Sequence, residues 1–192
     1  HFNLGVSHRD LGEREEALKE FLVATSLNEK DFVSYNSIGL IQVQKGEYHD
    51  AMSSFQKAIN INGRYRDAYN NAAILLMRQG DMVAAEEMLR KILAIDPGYD
   101  TGHYSIGNLY YKIGKLGKAI DHYQKALRYR PDYVNAFINL GNIYRDTGDV
   151  TKAAYLYQEA LKVDSNAVEA LNNLGILFAQ KGDMIKDLGL FE

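Results

Sequence analysis

The five histidines are the side chains in this sequence best suited to metal chemistry. A zinc centre needs two or three imidazoles, with carboxylates, on one face at ligand spacing. His1, His8, His49, His103 and His122 do not supply that spacing. His1 and His103 occupy equivalent places in the repeat described below, where a packing side chain is expected, and the other three are isolated from one another in the same register. Gly114-Lys115-Leu116-Gly117-Lys118 resembles a phosphate loop, but Lys112 stands where the first glycine of that motif belongs, and the stretch joins two helical segments instead of following a strand. Cysteine is absent, which excludes disulfides, thiolate ligands and a cysteine nucleophile. No nucleophile, base and orienting group share a face in the geometry expected from the sequence. The reading is therefore of a chain with no catalytic residue, no metal and no cofactor, and not an enzyme.

Charge narrows the partners. The 192 residues hold 22 Lys and Arg against 25 Asp and Glu, a formal charge of -3, so no whole-chain field gathers phosphates or anionic lipid. Residues 100–133 carry six basic side chains (Lys112, Lys115, Lys118, Lys125, Arg128, Arg130) against three acidic ones, together with Tyr104, Tyr110, Tyr111, Tyr123, Tyr129 and Tyr133. Residues 1–31 carry four basic and seven acidic. The basic stretch reads as a solvated face, or as half of a contact with the acidic first stretch of another copy, rather than as a surface for nucleic acid. The longest aliphatic run, Ala72 to Met77, is far short of the roughly 20 residues that span a bilayer, so membrane insertion is not expected. The start shows no signal-peptide pattern, which leaves the compartment unassigned, cytoplasmic by default.

The elements that must position any site come from one period. Gly5, Gly39, Ala73, Gly107, Gly141 and Gly175 recur every 34 residues, and Gly12, Gly46, Gly80, Gly114, Gly148 and Gly182 follow each of them by seven. Further on stand Ala17, Ala51, Ala85, Ala119 and Ala153, then the bulky Phe21, Phe55, Leu89, Tyr123 and Tyr157, then Ala24, Ala58, Ile92, Ala126 and Ala160. The sixth copy departs from this pattern with Asp187. Phe137, Leu140, Gly141 and Tyr144 are spaced by three and four, which makes one face of a first helix. Gly148 supplies its left-handed end, Asp149 favours the positive start of the next helix, and Ala153, Leu156, Tyr157, Ala160 and Leu161 make the apolar face of that second helix. The small residues let the two axes approach, where leucine would wedge them apart. A single hairpin cannot bury its apolar face alone and must stack on its neighbours.

These residues resemble the tetratricopeptide repeat family, whose pattern has an aromatic at the fourth position, Leu-Gly at seven and eight, an aromatic at eleven, Gly at fifteen, Ala at twenty, an aromatic at twenty-four and Ala at twenty-seven. Phe137, Leu140, Gly141, Tyr144, Gly148, Ala153, Tyr157 and Ala160 match it, with Ser165 in place of the family proline. The resemblance implies an all-α superhelical solenoid filling the chain as one array, with repeats at about 1–31, 32–65, 66–99, 100–133, 134–167 and a partial 168–192. It also implies that first helices line a concave groove holding an extended peptide or protein segment.

In that register the sixth position reads Asn3, Ser37, Asn71, Ser105, Asn139 and Asn173, a polar ladder able to pair with a peptide backbone or, alternatively, to bond across neighbouring repeats. The ninth position is apolar early (Val6, Leu40, Ile74) and polar later (Asn108, Asn142). The groove is expected to use Asn71, Asn139 and Asn173 for main-chain bonds and Asn108 and Asn142 for further polar contacts. Ile74, Met77, Tyr104 and Tyr111 are expected to give apolar or aromatic surface, and Arg78 and Arg145 to select acidic side chains. Asp67, Thr101, Asn135 and Glu169 stand where the family's carboxylate clamp has lysine, which disfavours a chaperone-tail ligand. The expected function is a non-enzymatic protein-interaction scaffold. The alternatives are the recognition arm of a larger enzyme, for example a glycosyltransferase, or a self-assembling scaffold. The ends read as cut from a longer chain, with Leu188, Leu190 and Phe191 expected to cover themselves head-to-tail against Phe2 and Leu4 of another copy.

Overall fold

In the first five hairpins the glycine seven residues past the middle of the first helix ends that helix by the same device. Gly12, Gly46, Gly80, Gly114 and Gly148 all have φ between 74° and 90°, the left-handed region that costs a side chain and suits glycine. The computed structural model describes residues 1–187, and of 180–187 the backbone alone. The helices that result are α1 (Phe2–Asp10), α2 (Arg14–Leu27), α3 (Phe32–Lys45), α4 (Tyr48–Ile61), α5 (Arg66–Gln79), α6 (Met82–Ile95), α7 (Asp100–Lys112), α8 (Leu116–Tyr129), α9 (Val134–Asp146), α10 (Val150–Val163) and α11 (Val168–Asp187). No strand occurs among the described residues, and the chain is an all-α repeat solenoid. It falls into two compact units, His1–Pro97 with α1 to α6, and Gly98 onward with α7 to α11.

Local chemistry fixes the second-helix starts. The carboxylates of Asp81 and Asp149 accept the backbone N–H three residues on, at 3.0 and 3.1 Å, and Asp31 does the same at the start of α3. Asn28, Asn62 and Asp164 close the turns between hairpins by accepting the N–H two residues later.

Packing within a hairpin rests on one wedge. Phe21, Phe55, Leu89, Tyr123 and Tyr157 are completely buried, as are Ala17, Ala51, Ala85, Ala119 and Ala153 one helical turn before them. Four of the wedges are rings lying on a glycine. A Cβ built on Gly5, Gly39, Gly107 or Gly141 would stand 2.5 to 2.8 Å from the ring of Phe21, Phe55, Tyr123 or Tyr157. In the third hairpin the wedge is the slimmer Leu89 and the seat is Ala73.

The sixth copy differs from the sequence expectation. Gly182 does not end a helix; α11 runs through it to Asp187, 20 residues against nine to 14 for the other first helices. Among the described residues nothing lies within 4 Å of the position where a Cβ on Gly175 would be, and Phe178 is 56% exposed on the same helix. Leu188, Leu190 and Phe191, expected to join copies head-to-tail, lie outside the described residues. At the other end, Phe2 packs on Phe21 with ring centres 5.9 Å apart and Leu4 is exposed.

Candidate functional site

The first-helix faces of the two units differ in chemistry, and each follows from its wedge residue. In the first unit the wedges Phe55 and Leu89 have no hydroxyl, and the ninth-position residues beside them, Leu40 and Ile74, are apolar. Leu40, Val43, Ile74 and Leu75 line a notch of about 160 Å³ floored by Phe55 and rimmed by Asn71 and Arg78. Ile74 is 46% exposed at its mouth. No carboxylate pairs with the Arg78 guanidinium among the described residues; it lies 5.9 Å from the centre of the Tyr48 ring. The Asn71 amide donates to Asn36 Oδ1 at 2.9 Å, an inter-repeat brace. Met77 departs from expectation: it is buried at 8% exposure and offers little groove surface.

In the second unit the wedges are tyrosines, and their hydroxyls need acceptors inside the fold. Tyr123 donates to Asn108 Oδ1 and Tyr157 to Asn142 Oδ1, both at 2.7 Å. The same oxygens accept Asn139 Nδ2 at 2.8 Å and Asn173 Nδ2 at 3.0 Å from the following repeat. Asn139 also donates to the Tyr104 hydroxyl at 3.1 Å. Arg145 donates to Asp146 through Nε and Nη2 and to Asn173 Oδ1 through Nη1, and the Tyr111 hydroxyl donates to Asp146 at 2.6 Å. Burial raises the Asp146 pKa, yet the bonds from Tyr111 and Arg145 outweigh it and hold the carboxyl below its ordinary value.

The structure thus bonds Tyr104, Asn108 and Asn139 into one group, and Tyr111, Arg145, Asn142 and Asn173 into another through Asp146. The polar ladder is broken at Ser37 and Ser105, which are buried; Ser37 bonds the Val33 carbonyl of its own helix. At Asn71, Asn139 and Asn173 the amides bond across neighbouring repeats, the alternative that the sequence leaves open. The signal that reveals this is a pairing fifteen residues apart: Val6–Phe21, Leu40–Phe55 and Ile74–Leu89 are apolar, while Asn108–Tyr123 and Asn142–Tyr157 are polar at both members.

The histidines hold one surprise. His103 and His122 approach at 3.2 Å between their Nδ1 atoms, and Tyr129 stacks on His103 at 5.6 Å. Two imidazoles make half a metal site, and no group of three His, Asp or Glu able to hold an ion occurs among the described residues. His1, expected to pack, is exposed and bonds Glu20 at 2.6 Å. Of the tyrosines imagined as a stacking surface, Tyr110 and Tyr123 are buried. No described helix is long and apolar enough to cross a membrane.

Burial, with a smaller push from Tyr104, drives the Tyr123 phenol far above its ordinary value, and burial also raises Tyr157, Tyr65 and Tyr133. A phenol whose folded value is raised stays protonated in the native state after the unfolded chain has ionised. Its contribution is whole below about pH 10 and is lost as pH rises through the folded value. The midpoint of thermal unfolding is therefore expected to fall above about pH 10, and Tyr123→Phe is expected to fall less steeply. Identical slopes in the two proteins would contradict this account of Tyr123.

This geometry defines a class: a helical-hairpin repeat array. Models of the tetratricopeptide repeat match residues 1–31, 42–109, 107–144 and 141–182, and the chain belongs to that family. No curated protein is significantly similar to it in sequence. Among solved structures, TTC0263, a thermophilic TPR protein from Thermus thermophilus, superposes with TM-score 0.79 at 22% identity, over 93% of this chain and 97% of that one. MamA superposes with TM-score 0.68 at 20% identity, over 88% and 99%. YrrB, "a TPR protein with an unusual peptide-binding site", superposes with TM-score 0.62 at 20% identity, over 89% and 88%. At these identities the likeness is one of fold.

Proposed function

We propose that this chain is a non-enzymatic protein-interaction scaffold. Its first unit binds an extended segment of a partner protein by taking one aliphatic side chain into the notch over Phe55 and one carboxylate at Arg78. The observation that carries this reading is the notch itself, lined by Leu40, Val43, Phe55, Ile74 and Leu75 and by Arg78, whose guanidinium pairs with no carboxylate among the described residues. The burial of an aliphatic side chain there contributes roughly 1.5 to 3 kcal/mol. The likeness to YrrB, whose description names a peptide-binding site, points the same way.

The second unit's face has a different task. Its amides, its tyrosines and Arg145 are bonded to one another, so a ligand there would have to break internal bonds for each new one, and the net gain of a bond is only about 0.5 to 1.5 kcal/mol. Asn139, Asn142 and Asn173 brace adjoining repeats, and recognition by the second unit, where it occurs, uses the rims of these side chains.

The test is a peptide array of aliphatic-acidic pairs, read by affinity. Ile74→Glu should abolish binding, and Arg78→Ala should weaken it about fivefold and remove its dependence on salt, since an exposed charge pair is worth about 1 kcal/mol. Both side chains are exposed, so helical content and thermal midpoint should not change. Peptides that bind equally to wild type and Ile74→Glu would place recognition elsewhere.

A further inference from the structure

A second hollow in the first unit shares no residue with the notch over Phe55. It is a cleft of about 470 Å³ between the second helices α2 and α4, lined by Leu22 and Thr25 of α2, Ile61 of α4 and Tyr35 of α3. Glu29, in the turn that follows α2, and Lys57 of α4 complete its edge. Leu22 is 50% exposed there.

The cleft traces to one residue. At the 34-residue spacing Thr25 stands where the next four hairpins have Ile59, Leu93, Leu127 and Leu161. Ile59 sits in a core cluster against which Tyr69, the counterpart of Tyr35, is packed. Threonine is smaller than those aliphatics, and its hydroxyl is already occupied, donating to the Leu22 carbonyl of its own helix at 3.0 Å. What the second helix leaves unfilled beside Tyr35 is therefore the space of an aliphatic side chain, with no buried donor that a guest must satisfy.

The edge carries two charges that the fold does not use against each other. The Lys57 ammonium lies 5.5 Å from the centre of the Tyr35 ring, and neither it nor the Glu29 carboxylate has an ion-pair partner among the described residues. In the next hairpin the counterpart of Lys57, Lys91, pairs with Glu87 of its own helix at 3.1 Å.

We infer that this cleft is a second docking site, for a partner segment that presents one leucine or isoleucine between an acidic and a basic residue. The aliphatic takes the place of the side chain that Thr25 lacks, the partner's carboxylate meets Lys57, and its cation meets Glu29. Opposite charges at the edge fix the direction of the segment, and the apolar centre holds it. The site lies between second helices, so it does not depend on recognition by the first-helix notch.

The probe is a set of capped, dye-labelled peptides in which one leucine is flanked by glutamate and arginine at varied spacing. Anisotropy titrations use the full chain carrying Ile74→Glu, which closes the notch to the same peptides. Saturable binding is expected for at least one spacing. Adding Thr25→Leu restores the aliphatic found in the other hairpins and should abolish that binding without lowering the thermal midpoint. Adding Lys57→Glu, at an exposed position, should weaken it about fivefold or more, and peptides with lysine in place of the glutamate should recover the loss. Absence of binding at every spacing overturns the inference. So does binding that survives Thr25→Leu, or that Lys57→Glu leaves unchanged.

Discussion

Replacing Gly39 with alanine is expected to destabilise the fold by about 1 to 3 kcal/mol, although the same change at an exposed mid-helix glycine stabilises by roughly 0.5 to 1 kcal/mol. The reversal of sign comes from the ring of Phe55. A Cβ on Gly39 would lie 2.6 and 2.7 Å from two of its atoms, and the ring is fully buried in one cluster with Ala51, Ala72 and Leu75, so close packing resists its moving aside. The helix pair must part instead, which loosens the seam on both sides of it. The third hairpin supplies the remedy, because Ala73 and Leu89 show that an alanine seat and a leucine wedge pack together with neither exposed. Gly39→Ala combined with Phe55→Leu should therefore be less destabilised than the sum of the two single changes, by about 1 kcal/mol or more. Urea unfolding of the four proteins in the cycle measures it. Additive effects would mean that the glycine serves the turn geometry of its helix and not the ring.

That pair of positions also shows why the fold is legible in the sequence. The residues that punctuate a hairpin are few in kind and each has a steric reason, so Gly46, Ala51 and Phe55 declare their places without any partner being known. At Gly182 the pattern of helix ends misleads, because one local signal is outvoted. A glycine permits a left-handed end but does not compel it, and α11 continues through Gly182 to Asp187. Position by position, the site is harder to read. Asn108 and Asn142 look like ligand-binding amides as long as the ninth positions are read as one column. Their meaning lies in the residues fifteen further on, the tyrosines whose hydroxyls they accept. Ile74 and Arg78 are exposed, as their columns predict, whereas the column that puts Met77 in the groove does not report the packing that buries it. His103 and His122 meet for the same reason: nineteen residues of separation place a first helix's packing position against its own second helix, as at His1 and Glu20.

The distinction between an amide that braces the array and one that binds a ligand has a direct consequence at Asn142. Its Oδ1 accepts both the buried Tyr157 hydroxyl and the Asn173 amide, so Asn142→Leu leaves a phenol with no acceptor in a completely buried position. An unsatisfied buried polar group costs about 1 to 3 kcal/mol, while the Asn173 amide is only partly buried and can turn to water. Tyr157→Phe alone should be mild, since Asn142 retains Asn173 as a partner. The double variant, Asn142→Leu with Tyr157→Phe, recreates the Leu40–Phe55 pair of the second hairpin and should recover most of the loss, within about 1 kcal/mol of wild type. Its behaviour toward ligand separates the two roles. If the amides of the second unit are braces, a peptide seated at Ile74 and Arg78 binds the double variant as it binds wild type. A double variant that is stable but has lost the peptide would show that Asn142 touches the ligand and that the internal bonds of the second unit open to admit it.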